Sequence, residues 1–432
     1  MLSVRALRSL ARPSFSLTRA LSSAASDKQL LVVNTGSSTL KYKMFKVEPT
    51  GVGAAIFSGL VDLSTPTSAN GHITHKDLVK GTKTEVELPL ENHSVAFDTA
   101  VAKFFGPNVD NIQAVGHRVV HGGEAFAESV KIDENVVKAI EDNIKLAPLH
   151  NPANLLGIEC TRKTFGQDTP MVAVFDTAYH MTMPPKAYTY AVPHELYEQH
   201  GVRRYGFHGT SHQFVMKQAA SILGKSPAQT SVVTCHLGNG SSMAAIRNGK
   251  VVDTTMGLTP LEGLCMGTRS GDVDPALHNF LATQLDMSIS DIDKMLNKKS
   301  GLLGICGDSD VRAIQNRVRK GDDPLADLAL DVFAHRVRKY LGAYLLELGG
   351  AADAIVFAGG VGESSAMIRE RVCKDLEFLG IKLDQEKNAV SMMGSGPIEI
   401  STPDSKLKVL VINTDEELSI AEQTYDIVLR NK

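Results

Sequence analysis

"LLVVNTGSSTLKYKMF", residues 30–45, decides how the chain is read. Four apolar residues lead into Asn34. Gly36 and the hydroxyl residues Ser37, Ser38 and Thr39 then make a polar turn, and apolar positions alternate again from Leu40. That is a strand, a glycine turn and a returning strand. A very similar unit recurs in "SVVTCHLGNGSSMAAIRNGKVVDTT", residues 231–255, where an apolar strand ends on His236, passes Gly238 and Gly240, and returns after Ser241 and Ser242. A unit repeated within one chain predicts a duplicated domain, each copy opening with a hairpin whose tip is glycine and hydroxyl.

Working outward, the runs "AVGHRVV", "MVAVFD", "AIVFAGGVG" and "KVLVINT" read as further strands, each ending in polar or glycine residues. Between them, "DLALDVFAHRVRKYLGAYLLELG" has apolar residues at helical spacing and a terminal Gly349. Alternating strands and helices predict α/β layers, with ligands gathered at the carboxyl ends of the strands.

Composition bounds the function. The 432 residues are 43% hydrophobic and 22% charged, enough for two or more packed cores. A net charge of -3 argues against a general nucleic-acid binder, and no run approaches the ~18 consecutive apolar residues of a membrane span. Five scattered cysteines without a CxxC pair suggest neither a disulfide framework nor a zinc site, and fit a reducing compartment. The first 26 residues carry Arg5, Arg8, Arg12 and Arg19, many serines, and no acidic residue before Asp27. That composition predicts an organelle transit peptide over residues 1–27, for the mitochondrion first and the plastid second.

The glycine turns are not phosphate loops of the GxxxxGK[ST] kind, since that pattern is absent and a strand follows Gly36. Their backbone N–H and hydroxyl groups can still cradle phosphate oxygens, with Lys41 adding charge. One such turn alone reads as an ordinary Ser/Gly turn. Two related tips facing each other across a cleft can hold the two ends of a polyphosphate. "GHRVVHGGE" places His117, Arg118 and His121 at a strand end, "MGTRSGDVDP" places Arg269 in a glycine-flanked loop, and "RRYGFHGTSH" contains Arg203, Arg204, His208 and His212. Singly, each reads as a solvated or salt-bridged loop residue, and Asp176 in "VAVFDTAYH" as a helix N-cap. Jointly, Arg118, Arg269, His208 and Asp176 suggest an anion clamp beside a metal-side carboxylate.

Nine ordered motifs carry a resemblance from about Leu31 to the carboxyl end: "VVNTGSSTLKYKMF", "GHRVVHGGE", "LAPLHNPANLLGIE", "VFDTAYH", "RRYGFHGTSH", "HLGNGSS", "MGTRSGDVDPAL", "AGGVGES" and "NTDEEL". Together they closely resemble the acetokinase family of the acetate and sugar kinase/actin superfamily. The resemblance implies a duplicated actin-like (ribonuclease H-like) two-domain α/β fold with a central cleft. Domain one is expected over 28–177 plus 413–432, and domain two over 178–412. It also implies reversible, Mg2+-dependent transfer of the ATP γ-phosphoryl group to acetate, giving acetyl phosphate and ADP, with Mn2+ as an alternative metal and a homodimer as the assembly. Kinases of propionate and other short-chain acids share most of these motifs and are the alternative. An actin-like ATPase is a more distant one, which would have no need of Arg118, Arg269 and His208 converging on a small anion.

Carried over by motif, Asn34 and Glu416 are expected at the metal, and Asp176 near the metal and the nucleophile. Arg118 and Arg269 are expected on the substrate carboxylate and the transferring phosphoryl, His208 on an equatorial oxygen, and His150 as a helper. Val120, Leu149, Phe207 and Pro260 are expected to wall the methyl pocket. The nucleotide is expected against Lys41, His236, Leu237, Gly238, Asn239, Gly240, Asp310, Val311, Arg312, Gly360, Val361, Gly362, Glu363 and Ser364, with Gly360 leaving room for adenosine. Thr39 stands where the family usually has serine, which keeps the hydroxyl. The chemistry agrees with these roles. A carboxylate is already anionic at neutral pH, so the barrier lies in bringing two anions together in line, for which arginines, a donor histidine and Mg2+ are suited.

Overall fold

In the computed structural model, the residues described are 28–36, 38–63, 70–389 and 396–430. The expected transit peptide and Ser37 lie outside them.

Both hairpins form, and each seeds its own sheet. In the first, β1 (Gln29–Thr35) pairs antiparallel with β2 (Thr39–Glu48), followed by β3 (Gly51–Asp62), β4 (Asn70–Asp77), β5 (Thr82–Pro89), β6 (Ile112–Val119), β7 (Val130–Lys131) and β8 (Met171–Phe175). The strand order is β5-β4-β3-β2-β1-β6-β8-β7. The second sheet holds β9 (Val232–Leu237), β10 (Ser241–Arg247), β11 (Lys250–Thr254), β12 (Ala354–Ala358), β13 (Ile398–Glu399) and β14 (Lys408–Val411), in the order β11-β10-β9-β12-β14-β13.

The duplication is visible in these orders. The run β3-β2-β1-β6-β8-β7 matches β11-β10-β9-β12-β14-β13 strand for strand: an antiparallel three-stranded start, two parallel additions, and an antiparallel edge. The parallel strands are covered on both faces, which is why β1, β8, β9 and β12 read as nearly unbroken apolar runs. β4 and β5 extend the first sheet only, and β5 alternates charged and apolar residues as a largely solvated edge strand.

Each sheet is covered on its inner face by a helix that crosses over from the other half. The helix Gly209–Ile222 follows the first sheet in sequence, yet Phe214, Val215 and Ala219 pack on Val232, Ala354 and Val356 of the second. The carboxyl-terminal helix Glu416–Val428 leaves β14 and returns Ile420, Ala421 and Tyr425 to Leu30, Val32, Ala114 and Val174 of the first. On the outer faces, the helix Asn151–Phe165 supports β1 and β6. The long helix Pro324–Glu347 buries Leu330, Phe333, Val337 and Leu341 in the second core. Asp323 caps its start through a 2.9 Å bond from Ala326 N, and Gly349, at φ 60°, takes the left-handed turn after its end. Among the described residues, no helix is long and apolar enough to cross a membrane.

Candidate active site

The parallel strands bring the first set of polar groups together at their carboxyl ends. Val33 of β1 pairs with His117 of β6, and Arg118 with Val174 of β8, so Asn34, Arg118 and Asp176 end three adjacent strands. Arg118 clasps Asp176 through Nε at 3.0 Å and an Nη at 2.5 Å, and its other Nη stands 3.4 Å from Asn34 Oδ1. Asp176 is therefore the buried partner of an arginine and not a helix N-cap. Burial pushes the Asp176 carboxyl up, against the opposing pull of Arg118. Burial also disfavours the charge on Arg118, but Asp176 and Glu416 outweigh it and push the guanidinium up. The mutual influence of Glu416, Arg118 and Asp176 places the start of the carboxyl-terminal helix beside this trio.

Two asparagines of "LHNPAN" fix the loops around it. Asn154 accepts from Val120 N (3.0 Å) and donates to Thr35 O (2.8 Å), tying the end of β6 to the end of β1. Asn151 bridges the backbone of His121 and the carbonyl of Ile140. The sequence had pointed to His150; it opens this helix, and burial, reinforced by Arg118 and Arg269, pushes it down to about 4. Lys41, opposite Asn34 on β2, is exposed. The first tip is pinned from the side, His93 Nε2 lying 2.9 Å from Gly36 O.

The second hairpin carries the other set. Gly238 N donates to Gly240 O and to Ser241 Oγ. Gly267 N donates to Asn239 O, docking the "MGTRSGD" loop on the tip. Arg269 thereby reaches Gly240: a Cβ built there would lie 3.4 Å from an Arg269 Nη and 3.6 Å from His208 Nε2. Among the described residues Arg269 meets no carboxylate, and its guanidinium contact is to Met266 Sδ at 3.9 Å. Burial lowers its pKa, the sign of a cation without a fixed anion. His208 stacks on His236 with ring centres 4.3 Å apart. His236 is held by Ser211 and, through it, by Thr414. Burial pushes His236 down to about 4, and His208 and His212 well below the usual histidine range.

Several other sequence candidates take supporting positions. Glu363 is occupied internally, accepting from Gly359 N, Asn413 Nδ2 and Thr414 N, and so ties β12 to the loop after β14. Gly360 beside it is open, with nothing within 4 Å of where a Cβ would stand. Gly362 is buried, while Leu237 and Val361 belong to or pack on the second core. Asp310 caps the helix Val311–Lys320 and pairs with Arg312 at the surface. Arg203 and Arg204 are structural, paired with Glu124 and Glu262. His117 is a core residue, 3.1 Å from Thr161 Oγ1.

The residues expected to wall the methyl pocket are placed unequally. Val120 and Phe207 form a buried cluster with Met256, which lies outside the quoted motifs, and Met266, which opens "MGTRSGDVDP" but was given no role there. Pro260 is half-buried in the adjoining loop. Leu149 is 59% exposed, on the turn before the helix Asn151–Phe165, and stands apart from that buried cluster.

Two matching α/β halves, a crossed pair of helices between them, and strand ends that present an unpaired cation opposite an amide–arginine–carboxylate trio define a cleft of the actin-like phosphotransferase class. Residues 29–422 match the acetokinase family, to which this chain belongs. The acetate kinase of Clostridium novyi (strain NT) is 50% identical over 411 residues, covering 93% of this chain and 99% of that protein. The crystal structure of Porphyromonas gingivalis acetate kinase superimposes with a TM-score of 0.85 at 42% identity, over 93% of this chain and 99% of that one. A propionate kinase from Francisella tularensis subsp. tularensis SCHU S4 gives a TM-score of 0.85 at 40% identity, over 93% and 100%. The protein is a phosphotransferase with a carboxyl group as acceptor.

Proposed function

We propose that the protein is an acetate kinase, transferring the γ-phosphoryl group of ATP directly to acetate. The observation that carries this reading is Arg269: a largely buried guanidinium that meets no carboxylate among the described residues, at a glycine tip that His208 also reaches. A buried cation left unpaired costs stability unless an anion is delivered to it. The site is suited to an anion that arrives and leaves.

The hard oxygen donors Asn34 and Glu416, beside Asp176, fit Mg2+, which is held by one or two carboxylates, water and substrate phosphates. When bound, the ion neutralises charge on the phosphates. The chain's own residues do the rest. Arg118 and Arg269 draw the acetate carboxylate and the phosphoryl group together, and His208 donates to an equatorial oxygen. Val120, Phe207, Met256 and Met266 offer the methyl group an apolar wall. Gly360 leaves space for adenosine. A carboxylate oxygen attacks phosphorus while the bond to the β-phosphate oxygen breaks, its electron pair leaving with ADP, and no proton changes place.

Trapping the acyl phosphate as a hydroxamate, with acetate, propionate and butyrate in parallel, tests the reading. Acetate is expected to be the best acceptor and propionate to follow, because one methylene is worth only ~1 to 3 kcal/mol in such a pocket. Butyrate turned over faster than acetate would sink the assignment. The family match begins at residue 29, just after the arginine-rich leader. We propose that this leader directs the protein to an organelle, the mitochondrion first, and that the enzyme works as a homodimer. A fluorescent fusion of residues 1–26 that stays cytosolic refutes the targeting, and a monomeric mass in sedimentation refutes the dimer.

A further inference from the structure

The Cε1 and Nε2 atoms of His208 each lie 3.6 Å from where a Cβ at Gly240 would stand, on the tip that Arg269 also reaches, while its Nδ1 belongs to a buried line of hydrogen bonds. His208 Nδ1 lies 2.9 Å from Ser242 Oγ, Ser242 Oγ 2.8 Å from His212 Nε2, and His212 Nδ1 2.7 Å from Thr234 Oγ1. Ser242, His212 and Thr234 are all fully buried. Burial keeps both histidines neutral, so each ring has one N–H and one lone pair. Ser242 has a single proton and, among the described residues, its hydroxyl meets no acceptor besides the two ring nitrogens, so it donates to one ring and accepts from the other, and the line runs in one direction throughout.

Two directions exist. In one, Thr234 O–H donates to His212 Nδ1, His212 Nε2–H to Ser242 Oγ, and Ser242 O–H to His208 Nδ1, which leaves the N–H of His208 on Nε2. In the other, every donor is reversed, and Thr234 must turn its proton to the Ala244 carbonyl at 3.4 Å, the edge of hydrogen-bonding range. The first direction uses only the contacts of 2.7 to 2.9 Å. The ring is also fixed from other sides. His208 is a non-glycine residue at φ 56°, a left-handed conformation kept only where the surroundings enforce it, and it stacks on His236.

We propose that Ser242, backed by His212 and Thr234, is a positioning relay that keeps the His208 proton on Nε2, aimed at the transferring phosphoryl group. The proposal rests on the phosphotransfer reading of this site. Without the relay the ring is free to carry its proton on Nδ1 and to present a lone pair to an anion, which repels it.

The test reads the tautomer and the rate separately. In substrate-free protein labelled with 15N at histidine, the His208 signals are identified by their loss in His208→Gln. Wild type is expected to show a lone pair at Nδ1 and an N–H at Nε2, and Ser242→Ala a shift of the proton toward Nδ1. In the hydroxamate assay, Ser242→Ala and Thr234→Val are expected to lose about ten- to a hundredfold in kcat with the KM for ATP unchanged. Thr234→Ser, which keeps the hydroxyl, is expected to retain the rate. Melting curves confirm that each variant is folded, and Thr234→Ser with Ser242→Ala suffices should Thr234→Val not fold. A proton on Nδ1 in wild type, a tautomer unmoved in folded Ser242→Ala, or a kcat unmoved in that variant overturns the relay. If the wild-type protein phosphorylates no short acid, it is the proposed function that falls, and the tautomer still decides the relay.

Discussion

The two halves share one topology and end their strands differently. In the first, the ends of β1, β6 and β8 carry Asn34, Arg118 and Asp176, and the local carboxylate is committed to an arginine. In the second, β9 ends on His236 and Leu237, β12 leads to Gly359 and Gly360, and β14 leads to Asn413 and Thr414. There the local carboxylate, Glu363, is committed to backbone N–H groups and an amide. The strand ends of one half present charge, and those of the other present backbone and open space, with Arg269 brought there by a docked loop. The difference teaches how a duplicated scaffold can offer two unlike surfaces. Geometry delivers strand ends twice, and the residues placed there decide what each can receive, which in the proposed function is a small anion with its metal at one and a nucleotide at the other.

The largest expected effect disregards the distinction. His121 and His150 in the first half, and His180 and His236 in the second, are pushed by burial down to about 4 from the ordinary 6.5. The unfolded chain binds more protons than the native one between those values, so stability is full above about pH 6.5 and falls as pH drops toward 4. Chemical denaturation at stepped pH is expected to show cooperative acid unfolding in that window. A midpoint unchanged from pH 7 to 4.5 would contradict the neutral buried histidines.

Next comes the first half's ion pair. Asp176 has 2% of its side chain exposed, so Arg118→Ala leaves a buried carboxylate uncompensated and is expected to cost about 3 to 5 kcal/mol of stability as well as activity. Arg269→Ala, at the second half's edge of the cleft, is expected to behave oppositely. It removes a cation with no carboxylate partner, so the melting temperature should hold or rise, while kcat falls about a hundred- to a thousandfold. Equal thermal losses in the two variants would erase the contrast between a structural and a poised arginine.

The smallest effects separate two glycines of the second half. Neither Gly240→Ala nor Gly360→Ala forces a positive φ or a close contact, so neither is expected to lower the melting temperature. Gly240→Ala puts a methyl group in contact with both Arg269 and His208, and kcat is expected to drop about tenfold. Gly360→Ala intrudes only on the open space assigned to adenosine, and is expected to raise the KM for ATP with kcat kept. A reversed pattern would exchange the roles of the two tips.

Much of this was legible in the chain because it is written locally. Glycine and hydroxyl residues at Asn34–Thr39 and His236–Ser242 announce hairpin tips, and their repetition announces the duplication. What local patterns do not express is which partner a polar side chain meets. Arg118, Arg203, Arg204 and Arg269 look alike in sequence, yet three are tied to carboxylates distant along the chain and one is not. Ser242 stood inside a quoted motif, and His208 and His212 lie four apart at the start of one helix, but only the antiparallel register that sets Ser242 beside His236 closes the relay. Met256 and Met266 carried no signal, since a methionine in a pocket wall and one in a core are the same residue.

By itself, then, the sequence determined the two α/β halves, the hairpin tips and the family, because strand periodicity and turn chemistry are set by residues within a few positions of one another. The tertiary structure alone decided that Leu149 is exposed, that Glu363 serves the backbone, and that Arg269 meets no carboxylate among the described residues. Those outcomes depend on burial and on charge pairing across hundreds of residues, and both come into being only when the chain is folded.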